Sequence, residues 1–280
     1  AQAIQFDTRK TLDQTQAGFS WRHRFDQGAL RETRVSAYSG QRSVAQWLAI
    51  TPATQANVRH GGGVIDFDRS FEGLEARARW EWEQVGLVAG ASTDRQRDDR
   101  RGYENFTGTG ATQLLGVVGR LRRDELNEAR SRDVFAQAEW AFAPQWMFLA
   151  GARSGRMDLS AQDRYLSNGN DSGQLQFSYT NPVMGLRWQA APGLNLHLSA
   201  GRGFESPTLG ELAYRADGTG GFNTALKAQT SAQVEAGLKW RLGHADLDVA
   251  LFEARTDNEI GVATNAGGRS AFQNVGRTLR

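Results

Sequence analysis

From position 231 to 242 every second side chain is apolar: Ala232, Val234, Ala236, Leu238, Trp240 and Leu242. Between them stand Gln233, Glu235, Gly237, Lys239 and Arg241. Successive side chains of an extended chain point to opposite faces, so this segment has one greasy face and one wet face. A helix would space its apolar residues by three and four instead. The same period runs through 19–25, 74–82, 134–142, 194–200 and 245–251. Together these segments predict an all-β chain of about eleven antiparallel strands, the last running over 271–280. One strand changes phase: Leu175, Phe177 and Tyr179 are odd-numbered, Met184, Leu186 and Trp188 even, with Pro182 between them. Proline brings no N–H to a ladder, so a bulge is predicted near 181–183.

The connections carry a second signal. Short ones fall at 26–29, near 81–84, and at 143–145, 189–193 and 243–244. Long polar ones fall near 39–63, 93–132, 157–173, 204–228 and 257–270. Short and long strictly alternate. An up-and-down barrel in an outer membrane has short periplasmic turns and long outer loops, whereas a soluble sandwich has no reason to sort them. Phe25, Trp80, Trp82, Phe142, Trp146, Trp188 and Trp240 lie within a few residues of the short turns, where a membrane interface favours amphipathic rings. The reading is a transmembrane antiparallel up-and-down β-barrel over 1–280. An odd strand count ending in mid-strand leads us to expect part of a larger barrel, and Ala1 opens in mature-looking sequence.

Several classes of function are disfavoured. Nothing approaches the roughly 18 consecutive apolar residues of a membrane helix. The 33 basic residues are balanced by 31 acidic ones, without a basic run, which argues against nucleic acid. The densest cluster, Arg95 to Arg101, is interleaved with Asp98 and Asp99 and reads as a solvated loop. With no cysteine and four scattered histidines, no metal site or thiol chemistry is expected. Ser20 and His23, three apart, fall on opposite strand faces and make no catalytic pair. His197, on a polar face, reads as a hydrogen-bonding residue of the lumen. Gly61, Gly62 and Gly63 lack the lysine of a phosphate loop and read as a flexible hinge.

The segment from Gly201 to Tyr214 resembles the strand-to-loop signature of TonB-dependent receptors: Gly203, Phe204, Glu205, Ser206, Pro207 and Thr208, then Glu211 and Leu212. Lys227, with Glu235, Gly237 and Lys239 after it, is similar to a second family stretch, although Ala228 and Gln229 stand where Pro-Glu is common. Asn274 and Gly276 match a further landmark in the right order. The likeness extends to the subgroup of pyrroloquinoline-quinone and iron-complex receptors.

The resemblance implies a barrel of about 22 strands in the outer membrane of a Gram-negative bacterium. It implies uptake of a scarce siderophore, haem-like or quinone cofactor, with energy from the TonB–ExbB–ExbD complex through a plug domain. The plug, its TonB-contacting segment and the closing strands have no counterpart in these residues. A passive porin is the alternative, and an outer-membrane enzyme or adhesin a more distant one. At the outer mouth the aromatics Tyr103, Phe106, Tyr165 and Tyr214 could stack on a planar ligand, and Arg202 and Arg215 could grip carboxylates. No bound cofactor is expected.

Overall fold

In the computed structural model, which describes residues 1–280, the alternating segments form one antiparallel sheet. Its first four strands are β1 (Arg9–Arg24), β2 (Leu30–Trp47), β3 (Val64–Glu81) and β4 (Val85–Tyr103). A ribbon of β5 (Phe106–Thr107) and β6 (Leu114–Leu115) sits in the next loop. The sheet continues with β7 (Leu121–Ala143), β8 (Trp146–Asp163), β9 (Gly173–Ala191), β10 (Leu194–Glu205), β11 (Gln229–Leu242) and β12 (Ala245–Asp257). A hairpin of β13 (Ile260–Ala266) and β14 (Arg269–Asn274) follows, then β15 (Thr278–Leu279) returns to β12. The eleven sheet strands stand in sequence order, as an up-and-down wall requires, and the sheet is not closed. No helix is long and apolar enough to cross a membrane.

The register joins the apolar faces of neighbouring strands. Leu198 lies opposite Leu186 on one side and Ala236 on the other, and Ala236 lies opposite Leu251. This row is uncovered: Leu198 is 51% and Leu251 77% exposed. A continuous bare apolar band of this kind marks a surface that meets lipid. The other face is polar and cross-linked. There Arg153 reaches Asp133 at 3.0 Å, Tyr179 also donates to Asp133, and His197 meets Glu235 at 3.1 Å. Trp146 stacks on Trp188 with ring centroids 5.3 Å apart, and Phe142 lies 6.2 Å from Trp146, all beside the short turn of β7 and β8.

Several sequence expectations need correction. Three of the long loops are shorter than their polarity suggested: 48–63, 104–120 and 164–172 lie between strands. Arg95 to Arg101 belongs to β4, not to a loop. A membrane crossing takes about 9–11 tilted residues, yet β7 has 23. Its upper half therefore stands outside the bilayer, where both faces meet water and alternation gives way to charge ladders. Arg95 grips Glu128 through two bonds of 3.1 and 3.2 Å, and Arg69 grips Asp98 through two of 2.7 Å.

The predicted bulge at 181–183 is absent, since β8 and β9 keep one register from Trp146↔Trp188 to Ala161↔Gly173. What changes is the use of the faces. Met184, Leu186 and Trp188 point to lipid, whereas Leu175 and Phe177 point inward and pack with the outer loops against Leu159, Leu212, Phe222 and Leu226. The last predicted strand is also wrong: Arg269–Asn274 pairs with β13 in the outer hairpin, and only Thr278–Leu279 rejoins the sheet.

Candidate binding site at the outer mouth

The upper ends of β4 and β7 bring two arginine pairs together, Arg100-Arg101 and Arg122-Arg123, because Gly102 is registered with Arg123. Loop 48–63 closes on them. Gly62 has φ +86°, and a Cβ there would lie 2.1 Å from the Tyr103 carbonyl oxygen, so this glycine is required both by its backbone and by a close approach. The Gly61–Gly63 turn is thus a packed joint, not a flexible hinge: Gly63 donates its N–H to Tyr103 at 2.8 Å. Asn105 ties the same loop down, donating to Leu48 and Ile50 carbonyls at 2.6 and 3.0 Å.

Tyr214, from the loop after β10, enters this basic nest between two guanidiniums. Arg123 stands 4.8 Å and Arg269 4.7 Å from its ring centroid. Arg123 also donates to the Tyr214 hydroxyl at 3.0 Å and pairs with Glu125 at 2.9 Å, its side chain only 7% exposed. Burial opposes ionisation of Tyr214, but Arg123, Arg100 and Arg269 outweigh it and bring the phenol down to about 8. Burial, aided by the neighbouring cations Arg123, Arg100 and Arg122, pushes Arg269 down to about 10 against the pull of Tyr214. Burial also lowers His60 to about 4, with Arg269 adding to it, so His60 is neutral near pH 7.

A second cavity lies where the sheet forks. Pairing of β10 with β9 runs up to Gly201↔Val183 and stops at Pro182, which has no N–H to continue it. Above the fork Phe204 stacks on Tyr179 at 4.3 Å. The cleft of about 600 Å³ is lined by Tyr179, Asn181, Arg202, Phe204, Arg255 and Arg277. A larger concavity of about 890 Å³ lies mainly against outward-facing Leu74, Ala76, Ala91 and Val134, on the lipid side of the wall and away from the mouth.

The six residues read from sequence as ligand candidates do not converge. Tyr214 lines the basic nest and Arg202 the cleft. Tyr103 ends β4 half-buried, Phe106 sits in the β5–β6 ribbon, Tyr165 follows β8, and Arg215 lies exposed beside Gly221. Sequence reasoning missed Arg100, Arg123 and Arg269. Their only linear trace was the pair of basic doublets, and nothing in the linear order joins Arg269 to them.

The signature residues have structural work. Thr208 donates its N–H and hydroxyl to Glu211 at 2.7 and 2.9 Å, and Glu211 returns its N–H to the Thr208 hydroxyl at 3.2 Å. This reciprocal clasp and buried Pro207, after half-buried Ser206, aim Leu212, 0% exposed, into the loop core. Glu205 accepts from Gln229, and a Cβ on Gly203 would lie 2.5 Å from the Ser231 hydroxyl. Asn274 accepts from the N–H of Lys227 and donates to the carbonyls of Lys227 and Asn258, holding hairpin to loop. Gly276 turns the chain with φ +110°. Gly237 leaves room for the His197 ring, 2.6 Å from where its Cβ would stand, so that His197 can reach Glu235. Lys239 lies on the same polar face.

Comparison with known proteins agrees with this geometry. The family described as "TonB dependent receptor-like, beta-barrel" matches residues 2–280. Among solved structures, the copper transporter OprC superposes with a TM-score of 0.75 at 14% identity, over 96% of this chain and 44% of that one. The ferric yersiniabactin uptake receptor FyuA of Yersinia pestis gives 0.66 at 13%, over 90% and 37%. The FrpB iron transporter of Neisseria meningitidis gives 0.66 at 13%, over 96% and 40%. At these identities the likeness is one of fold, and the chain spans less than half the length of each. The family consists of receptors and transporters rather than enzymes, in the outer membrane of Gram-negative bacteria. A bare lipid-facing band, a polar cross-linked inner face and a strand-to-loop signature with a mechanical role are thus accounted for together: the chain belongs to the TonB-dependent receptor β-barrel family.

Proposed function

We propose that this chain forms wall and outer mouth of a receptor that captures a scarce solute outside the cell and delivers it to the periplasm. Energy would come from TonB–ExbB–ExbD acting on a plug domain held against the polar inner face. The observation that carries the reading is the mouth itself. The β13–β14 hairpin bonds to loop 48–63 through His60 and Gly267 and to loop 206–228 through Asn223 and Phe272, and the three gather arginines and aromatics over the inner face. The resemblance to pyrroloquinoline-quinone and iron-complex receptors, and the copper and iron transporters that share the fold, support a metal chelate or a planar cofactor as cargo.

The test is accumulation of radiolabelled iron chelates, haem, copper and pyrroloquinoline quinone by cells with and without this gene, in tonB-intact and tonB-deleted backgrounds. Uptake should need both genes. Equal uptake in the tonB-deleted strain would reassign the protein to passive diffusion.

A further inference from the structure

Between the basic nest and the loops lies a small, partly open cavity of about 30 Å³, enough for a water-sized group. Its lining includes four arginines, Arg100, Arg101, Arg123 and Arg269, and no carboxylate. Glu125 pairs with Arg123 and Asp99 with Arg101, which leaves Arg100 and Arg269 without an ion pair. Nη2 of Arg269 is buried and meets no acceptor. A charged donor left this way is costly, and a water molecule would supply an acceptor without balancing the charge.

We infer that this cavity is a site for one compact anion, a chloride-sized ion or a single carboxylate group, held by Arg269, Arg100 and the hydroxyl of Tyr214. Tyr214 accepts its hydrogen bond from Arg123, so its own proton is free to donate into the cavity. Gly61 supports the assignment independently. Its backbone has no positive φ to require glycine, yet a Cβ there would stand 3.3 Å from Arg123 Nε and 3.4 Å from Arg269 Nη2, crowding the space an anion would use. Two sources share this chemistry: a resident inorganic ion that holds the loops together, or a carboxylate borne by the imported solute. Only the second rests on the uptake reading above.

The charged groups that face Tyr214 are Arg123 and Glu125 from β7, Arg100 from β4 and Arg269 from β14, with His60 against Arg269. An anion and a Tyr214 phenolate compete for the same guanidiniums, so each must weaken the other. The test follows phenolate absorbance against pH in the full-length receptor in detergent, with a bulky disulfonate keeping the ionic strength constant. Chloride, acetate or the colourless chelate gallium citrate is then added. The component near pH 8, identified by its loss in Tyr214→Phe, should move up by about one pH unit, the mark of a tenfold difference in anion affinity. Arg269→Met should abolish the response while heat-modifiable gel migration shows the barrel intact. A response to chloride and acetate alone assigns a resident ion. A response to acetate and gallium citrate assigns the carboxylate of a solute. A titration that none of the three moves overturns the site, whatever the uptake experiment shows.

Discussion

Placing an arginine at Leu198 and, separately, at Ser199 tests the two-faced sheet at its narrowest point, because adjacent residues are assigned to lipid and to lumen. Leu198 stands two residues above Leu196, which pairs with Trp188 of the lower aromatic girdle, and four residues below outward-facing Arg202. At about 3.3 Å per residue and a tilt of about 45° this sets it roughly 5 Å inside the girdle. An arginine at the bilayer midplane costs about 2–4 kcal/mol, and less toward the interfaces. Leu198→Arg should therefore cost about 2 kcal/mol, a factor of about 30 in the folding equilibrium. Ser199 lies opposite Glu235 on the polar face, beside the His197–Glu235 pair. An arginine there meets a carboxylate and should shift stability by no more than about 0.5 kcal/mol. The assay is equilibrium unfolding in urea of the full-length receptor folded into lipid vesicles, read by tryptophan fluorescence. Equal losses from the two substitutions, or a larger one from Ser199→Arg, would refute the lipid-facing assignment of β10.

Three further outcomes are expected. Leu212→Ala empties the centre of the loop core and should cost about 2–5 kcal/mol locally, visible as faster hydrogen exchange over 206–228 with the membrane strands unchanged. Gly62→Ala forces a side chain into the Tyr103 carbonyl at a left-handed φ and should loosen loop 48–63 by more than about 1 kcal/mol, read by proteolysis of that loop. Tyr214 adds a pH dependence: its folded value, about 8, lies below the ordinary tyrosine value of 10.0. Its contribution is therefore full above the ordinary value and is lost as pH falls through about 8. The difference in melting temperature between wild type and Tyr214→Phe should widen from pH 8 upward, and a constant difference would show that the phenol does not ionise in the folded state.

The strands that cross the bilayer were legible because lipid on one face and water on the other impose a period of two on residues such as Leu194 to Ala200. Once β4 and β7 rise above the bilayer that constraint ends, which is why Arg95 to Arg101 resembled a loop while forming part of a strand. The phase change around Pro182 was visible, but its cause was not. Whether an apolar residue at 175 or 177 marks a slipped register or a second buried face depends on Leu212 and Phe222 arriving from another loop. The Thr208–Glu211 clasp could be found by likeness because its bonds span three residues.

What the sequence determined by itself was the two-sided sheet, its hairpin order and which end is tight and which loose, because each follows from local periodicity and turn length. Only the tertiary structure decided where Arg269 meets Arg123 and Tyr214, and that the glycines at 61–63 form a joint. Those arrangements join residues far apart in the chain, and pairing register with loop packing, rather than any local preference, brings their charges within reach of one another.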